Sequence, residues 1–218
     1  MAGRNFVRWS MAPAILAASS ASVLAHHPMG GTTPETFLHG LLSGIGHPIL
    51  GLDHFAFIVG IGLLAGITGF GLVLPILFVA AMTAGLAWHV AGIGIPYVEL
   101  LVALSVLAIG VAIAWRHAAG SKLVATAFAI AGLLHGFALG ETAIGAEATP
   151  LAAYIVGLCV TQMTVAALAW QLARGQAHVG ANASEVVPRP VPAYVRTAGI
   201  AIAVIGLGHA VLAAGGTT

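Results

Sequence analysis

Two imidazoles and one carboxylate lie close together at the start of a long apolar segment of this chain. They belong to His47, Asp53 and His54, and Asp53 is the only aspartate among the 218 residues. The apolar segment, residues 49–68, is long enough to span a bilayer. An aspartate at the centre of a membrane helix costs about 2.5–3.5 kcal/mol on insertion scales. Such groups persist mainly where they pair, line a wet cavity or bind an ion.

The spacing of these residues predicts a common helix face. If a helix begins at Pro48, His47 and His54 lie two turns apart on one side of it. Gly51 falls between them, and its missing side chain leaves room for an ion or a neighbouring helix. The segment thus places a carboxylate and two imidazoles, which are candidate ligands of an ion, at the mouth of the span.

A second pair of candidate metal ligands, His135 and Glu141, lies at the end of a later apolar segment. They flank Gly136 and Gly140, small residues one helical turn apart that allow membrane helices to approach closely. Imidazole and carboxylate ligands without a thiolate suit Ni²⁺, Co²⁺, Zn²⁺ or Cu²⁺ and argue against Cu⁺. The lone Cys159 excludes an intrachain disulfide and a cysteine metal cluster.

The composition is that of an all-α integral membrane protein. Apolar residues make up 60% of the chain and charged residues only 6%, whereas soluble domains contain about 25% charged residues. The net charge of +1 gives no reason to expect a nucleic-acid partner. We expect the lipid bilayer to be the main partner of the chain.

The chain is predicted to cross the membrane six times, with each span close to the roughly 20 residues that a hydrocarbon core requires. The predicted spans are residues 49–68, 70–92, 96–115, 122–140, 150–174 and 192–214. Residues 36–45 are too short to span and are expected to form an interfacial or re-entrant helix. The only polar linker of note is residues 175–189, so residues 26–218 are predicted to form a single membrane domain.

Residues 1–25 have the pattern of a secretory signal peptide. Two arginines precede a short apolar stretch that ends in a signal peptidase site. The alternative is an uncleaved seventh helix. Cleavage would leave His26 and His27 at the new N-terminus, where an amine and two imidazoles could capture Ni²⁺ or Cu²⁺.

The distribution of charges predicts the orientation of the spans. Every basic residue outside the signal lies at the loops after the third and fifth spans, whereas the loops of the opposite side carry three glutamates. Positive charges mark cytoplasmic loops, so the N-terminus is expected outside. Most polar residues of the spans then lie in the outer half of the membrane.

His89, Glu99 and His209 are weaker candidates for the metal site. Either histidine can equally be an interfacial or packing residue bonded to a carbonyl group. Glu99 can simply favour the positive end of its helix. Gln162, in the fifth span, fits interhelical packing as well as an ion pathway.

The two motifs resemble those of the HupE/UreJ family, hydrogenase and urease accessory proteins that are regarded as nickel permeases. The resemblance rests on the sequences His47–His54 and His135–Glu141, and it covers nearly the whole chain. It implies six transmembrane helices after a signal peptide, with the N-terminus outside. It also implies metal selection by His47, Asp53, His54, His135 and Glu141.

The function implied by the resemblance is a secondary permease in the bacterial inner membrane that supplies nickel to hydrogenase or urease maturation. Ni²⁺, or alternatively Co²⁺ or another divalent metal, is the expected transported ion, and no prosthetic group or enzymatic activity is expected. Nickel-enzyme maturation proteins are candidate partners. The alternatives of another class are a membrane haem-binding or metallocentre-assembly protein without transport, and an intramembrane serine protease that uses Ser43 or Ser105.

Overall fold

The structure, a computed structural model, describes residues 33–115, 121–174 and 191–216. Within these residues the regular elements are seven α-helices and one 3-10 turn, Glu141–Ala143. The helices are α1 Phe37–Leu50, α2 Leu52–Thr68, α3 Val73–Val90, α4 Val98–Trp115, α5 Ser121–Gly140, α6 Ala148–Ala173 and α7 Ala193–Ala214. The predicted signal peptide, His26, His27 and the polar linker lie outside the described residues.

Five helices, α3 to α7, are long and apolar enough to cross a membrane. The bent pair of α1 and α2 adds a sixth candidate span if its two halves form one crossing. Helices therefore lie at the last five predicted spans, with bounds within a few residues of those expected. The chain is a helical, multi-pass membrane protein.

The first predicted span has the wrong boundaries, because the helix is broken at Gly51. The helix α1 continues to Leu50, α2 begins at Leu52, and their axes differ by 78°. Thr36 caps α1 by accepting the amide of His39, as expected for a helix start. Pro48 therefore lies in the last turn of α1 and does not begin a helix.

The helix α1, which extends beyond the predicted short helix, packs closely against α6. Gly40 lies against the backbone of Pro150, and Gly44 lies against the backbone of Tyr154. A Cβ atom at either glycine would collide with the facing carbonyl oxygen, so only glycine permits this approach. Hydropathy along the chain does not register such a tertiary contact.

Similar glycine contacts show the relative directions of the helices. The helix α2 lies parallel to α6, with Gly62 against Ala166 and Gly66 against Ala173. The corresponding contacts are Phe78–Gly132 and Met82–Gly136 for the parallel pair α3 and α5, and Gly110–Ala203 and Ala114–Gly199 for the antiparallel pair α4 and α7. These directions agree with crossings that alternate from α2 to α7.

The helix α2 lies at the centre of the bundle. Most of its side chains are buried, and it contacts α3, α4, α6 and α7. The surrounding helices expose large apolar side chains such as Leu172 and Val211, as expected for surfaces that face lipid. The first turn of α2, with Asp53 and His54, is therefore enclosed by other helices.

Candidate metal site

The break between α1 and α2 places three of the predicted ligands together. His47 lies in the last turn of α1, and Asp53 and His54 lie in the first turn of α2. All three are buried, and the rings of His47 and His54 meet edge to face with centroids 6.1 Å apart. The prediction that these histidines share one helix face is wrong, because Gly51 ends the first helix. The bend brings them together instead.

A chain of hydrogen bonds connects His54 to α5 and α4. The Nδ1 atoms of His54 and His135 are 2.9 Å apart, and Nε2 of His135 is 2.9 Å from Oγ of Ser105. The Ser105 hydroxyl donates to the carbonyl oxygen of Val102 at 2.7 Å. His135 is only 1% exposed. The two sequence motifs, which are 81 residues apart at these histidines, therefore meet through a buried pair of imidazoles.

His47 has a separate set of polar contacts, from α6 and the 3-10 turn. Its Nδ1 atom lies 3.1 Å from the hydroxyl oxygen of Tyr154 and 3.0 Å from Oγ1 of Thr142. The Tyr154 hydroxyl donates to the carbonyl oxygen of Leu139 at 2.7 Å. These contacts hold the His47 ring between the end of α5 and the start of α6.

The Asp53 carboxylate has an oxygen atom suited to a cation. Among the described residues, its buried Oδ1 atom has no hydrogen-bond partner. The imidazoles of His54, His135 and His209 lie near this carboxylate. Gly51 leaves space beside it, where a Cβ atom would contact Cδ2 of His54 at 3.0 Å and Oδ1 of Asp53 at 3.4 Å. A buried acceptor without a partner calls for a ligand, and a cation meets that need.

Two helix ends of opposite polarity meet at the break. The last carbonyl groups of α1 carry partial negative charge, and the first amide groups of α2 carry partial positive charge. A cation is stabilised beside the former, and the Asp53 carboxylate is stabilised beside the latter. Broken helices in membrane transporters place ions and substrates at such ends.

Two further glutamates form an acidic rim next to the buried cluster. Glu99, in the first turn of α4, and Glu141, in the 3-10 turn, are both exposed. Glu99 lies close enough to Asp53 and Glu141 for their negative charges to interact. Glu141 therefore lies at the edge of the candidate site and not within its buried part.

His209 and His89 differ in their relation to the cluster. His209, half-buried on α7, donates from Nδ1 to the carbonyl oxygen of Ile205 at 3.0 Å and interacts electrostatically with Asp53. His89 packs on Phe137 with ring centroids 4.1 Å apart, where α3 meets α5. The structure thus associates His209 with the site, whereas His89 packs between helices.

Known proteins resemble this chain over almost its whole length. A sequence model of the family described as HupE / UreJ protein matches residues 14–209. The chain belongs to the HupE/UreJ family. It is 30% identical over 203 residues to Protein HupE of Rhizobium leguminosarum bv. viciae, covering 91% of this chain and 100% of that protein. No solved structure matches the chain.

In this HupE/UreJ protein the buried cluster lies below the helix ends. His135 is five residues before the end of α5, Tyr154 is six residues after the start of α6, and Ser105 is seven residues after the start of α4. At about 1.5 Å per residue, these positions are ~7–11 Å inside the bundle. The sequence predicted the cluster at the mouth of a span. Because α1 precedes α2 in the bundle, the cluster lies deeper in the bundle than predicted.

The HupE/UreJ cluster offers separate donors and not a closed coordination sphere. Within the described ranges, no three His, Cys, Asp or Glu side chains already form a metal-binding group. Tyr154 and Thr142 were not among the residues predicted from the sequence, and Ser105 was predicted only as a possible nucleophile. A hydroxyl group within an otherwise apolar helix, or directly after a motif residue, is the signal that could have indicated them.

Proposed function

We propose that this protein is a secondary permease that carries a divalent metal cation, preferentially Ni²⁺, through the bacterial inner membrane. The observation that carries the proposal is the buried Asp53 carboxylate, which lies with His47 and His54 at a break between helices. A carboxylate inside a membrane bundle is costly unless it pairs or binds a cation. Membership of the HupE/UreJ family, with its hydrogenase and urease accessory roles, supports the same function.

The donor set supports the choice of metal. Imidazole nitrogen and carboxylate oxygen suit borderline divalent ions such as Ni²⁺, with Co²⁺ as the alternative. The single thiol is that of Cys159, and its Sγ atom lies 3.8 Å from Oγ1 of Thr83. Cys159 lies on a different part of α6 from Tyr154, the residue that contacts His47. A transported ion has to leave its site again, so separate donors suit a pathway better than a closed coordination sphere.

The membrane potential is sufficient to drive uptake without ATP. One charge gains about 2.3 kcal/mol per 100 mV, so a divalent ion gains ~4.6 kcal/mol. This free energy corresponds to roughly three decades of accumulation. Delivery of the ion to maturation proteins in the cytoplasm would keep the free metal concentration low and sustain the gradient.

The proposed orientation places the cluster toward the periplasm. Lys122 in the first turn of α5, Arg174 after α6 and Arg196 in the first turn of α7 all lie at the opposite end of the bundle. Basic residues mark the cytoplasmic side of membrane proteins. The acidic rim of Glu99 and Glu141 would then attract cations from the periplasm.

The contact between Ser105 and His135 also fits a second function, that of a membrane serine hydrolase. A nucleophilic serine gives its proton to the histidine base, and a third group orients that base. Here the Ser105 hydroxyl donates to Val102, and the other side of His135 faces an imidazole. Both features favour the permease. Covalent labelling of Ser105 by a fluorophosphonate probe would instead support the hydrolase.

A haem-binding role has less support from the geometry. An axial ligand needs a ring nitrogen directed at the iron, and both ring nitrogens of His135 take part in hydrogen bonds with His54 and Ser105. A visible absorption spectrum of the purified protein without a haem band would agree with the permease.

Uptake of radioactive nickel tests the proposed function. Cells that lack their own nickel uptake are compared with and without this protein, with cobalt and zinc as competitors. We expect saturable accumulation that depends on the protein, is inhibited most strongly by cobalt, and collapses with the membrane potential. Equal accumulation in both strains, with the protein present in the membrane, would contradict the proposal.

A further inference from the structure

Ser105 ends a hydrogen-bond chain whose polarity is fixed. The carbonyl oxygen of Val102 can only accept, so the single hydroxyl proton of Ser105 is donated to it at 2.7 Å. The Ser105 oxygen then has to accept from His135, whose Nε2 atom is 2.9 Å away. His135 therefore carries a proton on Nε2.

The surroundings of His135 determine whether its second ring nitrogen, Nδ1, carries a proton. The side chain is buried, and its ring lies 4.3 Å from the ring of Phe57 and 5.6 Å from that of Phe78, measured between centroids. A charged imidazolium is costly between apolar rings, so His135 is neutral and its Nδ1 atom is an acceptor. Nδ1 of His54, 2.9 Å away, then has to donate.

We propose that Ser105 is a positioning residue that sets the tautomer of His54 through His135. Because Nδ1 of His54 is engaged as a hydrogen-bond donor, Nε2 is the ring nitrogen left for the metal. Metal-binding histidines commonly donate their second ring nitrogen to an acceptor, which orients the ring. His135 thus contributes by orienting His54 and not by direct coordination. The metal-binding consequence rests on the proposed function, whereas the tautomer does not.

The same rule applies independently to a second histidine near the break. Nδ1 of His209 lies 3.0 Å from the carbonyl oxygen of Ile205, which can only accept. His209 therefore has a proton on Nδ1.

The tautomers of the metal-free protein test the assignment directly. NMR of protein with isotope-labelled histidine nitrogens, held in nanodiscs, distinguishes protonated from unprotonated ring nitrogens by their chemical shifts. In the wild type we expect the proton on Nδ1 of His54 and on Nε2 of His135. Ser105→Ala should allow both arrangements, because a buried hydrogen bond biases such an equilibrium by about three- to tenfold. Ser105→Thr keeps a hydroxyl and should restore the wild-type pattern.

Nickel uptake provides a second measurement. If Ser105→Ala halves the fraction of His54 in the competent tautomer, the half-saturating nickel concentration should rise about twofold at unchanged maximal rate. Thr83→Val is the matched control, because it removes a membrane hydroxyl that also donates to a carbonyl of its own helix, that of Val79. It should change neither the tautomers nor the uptake.

Three results would overturn the proposal. The first, which needs no variant, is a proton on Nε2 of His54 in the wild-type protein. The second is Ser105→Ala protein with unchanged tautomers and weaker uptake, because that pattern indicates a merely structural role. The third is bound Zn²⁺ that leaves the Nε2 signal of His54 unshifted. Wild-type tautomers as assigned, without any metal uptake, would support the role of Ser105 and contradict the permease function alone.

Discussion

Replacing Gly51 by alanine tests whether an ion occupies the break between α1 and α2. Gly51 has φ −72° and ψ 102°, a conformation open to other residues, so the backbone tolerates the change. The new Cβ atom would lie 3.0 Å from Cδ2 of His54 and 3.4 Å from both Oδ1 of Asp53 and the carbonyl oxygen of His47. It would therefore fill the space that these three atoms border.

The size of the effect on nickel uptake depends on whether the metal-free or the metal-bound protein bears the steric cost of the new Cβ atom. Overpacking a filled site costs about 1–3 kcal/mol. In the metal-free protein the His54 ring can shift by the few tenths of an ångström that a 3.0 Å contact requires. Alanine also stabilises a folded chain by about 0.4–1 kcal/mol at a compatible position. A bound ion fixes the ring, so the cost falls on the metal-bound state and should raise the half-saturating nickel concentration by about 5- to 150-fold.

The assay is nickel uptake over a range of concentrations, with the amount of protein in the membrane measured in parallel. The matched control is Gly94→Ala, because a Cβ atom at Gly94 meets nothing within 4 Å. We expect wild-type uptake for the control and a raised half-saturating concentration, with unchanged thermal stability, for Gly51→Ala. Unchanged nickel dependence in Gly51→Ala would refute the placement of the ion at the break.

Three other predictions concern the cluster and its support. Asp53→Asn should abolish uptake without affecting membrane insertion, because it removes the charge that offsets metal dehydration and retains the shape; normal uptake at limiting nickel would contradict this. His54→Ala and His135→Ala should each lose most activity and the double variant little more, since hydrogen-bonded residues act as a unit, whereas additive losses would indicate separate sites. Gly136→Ala should lower the free energy of unfolding by about 1–3 kcal/mol, because its Cβ atom would collide with the α3 backbone. Thermal unfolding in detergent measures this loss, and Gly208→Ala, with open space at its Cβ position, should show none.

The five later membrane helices could be predicted from sequence because their signal is local. A hydrocarbon core requires about 20 predominantly apolar residues. Each of these segments supplies them, with at most one charged residue, which lies near an end. The structure gives Ala148–Ala173 and Ala193–Ala214 where residues 150–174 and 192–214 were expected. Apolar length fixes such boundaries nearly independently of the partners of the helix.

The break at Gly51 could not be predicted in the same way. Proline is common at the first turn of a helix, so the sequence predicted a helix start at Pro48. In the structure α1 instead continues to Leu50, and it packs on α6 through Gly40 and Gly44. His47, Asp53, His54 and His135, which were predicted as metal ligands, do lie close together in the structure. They could be selected from the sequence because polar side chains are conspicuous in apolar segments. Ser105, which contacts His135, could not be selected in this way, because serine is a common residue type. Its role becomes visible only when the structure shows its hydroxyl group beside His135.

The dependence of α1 on α6 has a consequence for the order in which the protein is assembled. The helix α1 has 14 residues and is ~21 Å long, shorter than the hydrocarbon core of about 30 Å. Its buried face rests on a helix that the ribosome makes much later, since Tyr154 follows His47 by 107 residues. The residues that α1 contributes to the buried cluster therefore lack their final neighbours until α6 has been inserted. Nascent chains that end before α6 should be unable to complete the cluster, so the candidate site forms only near the end of biogenesis.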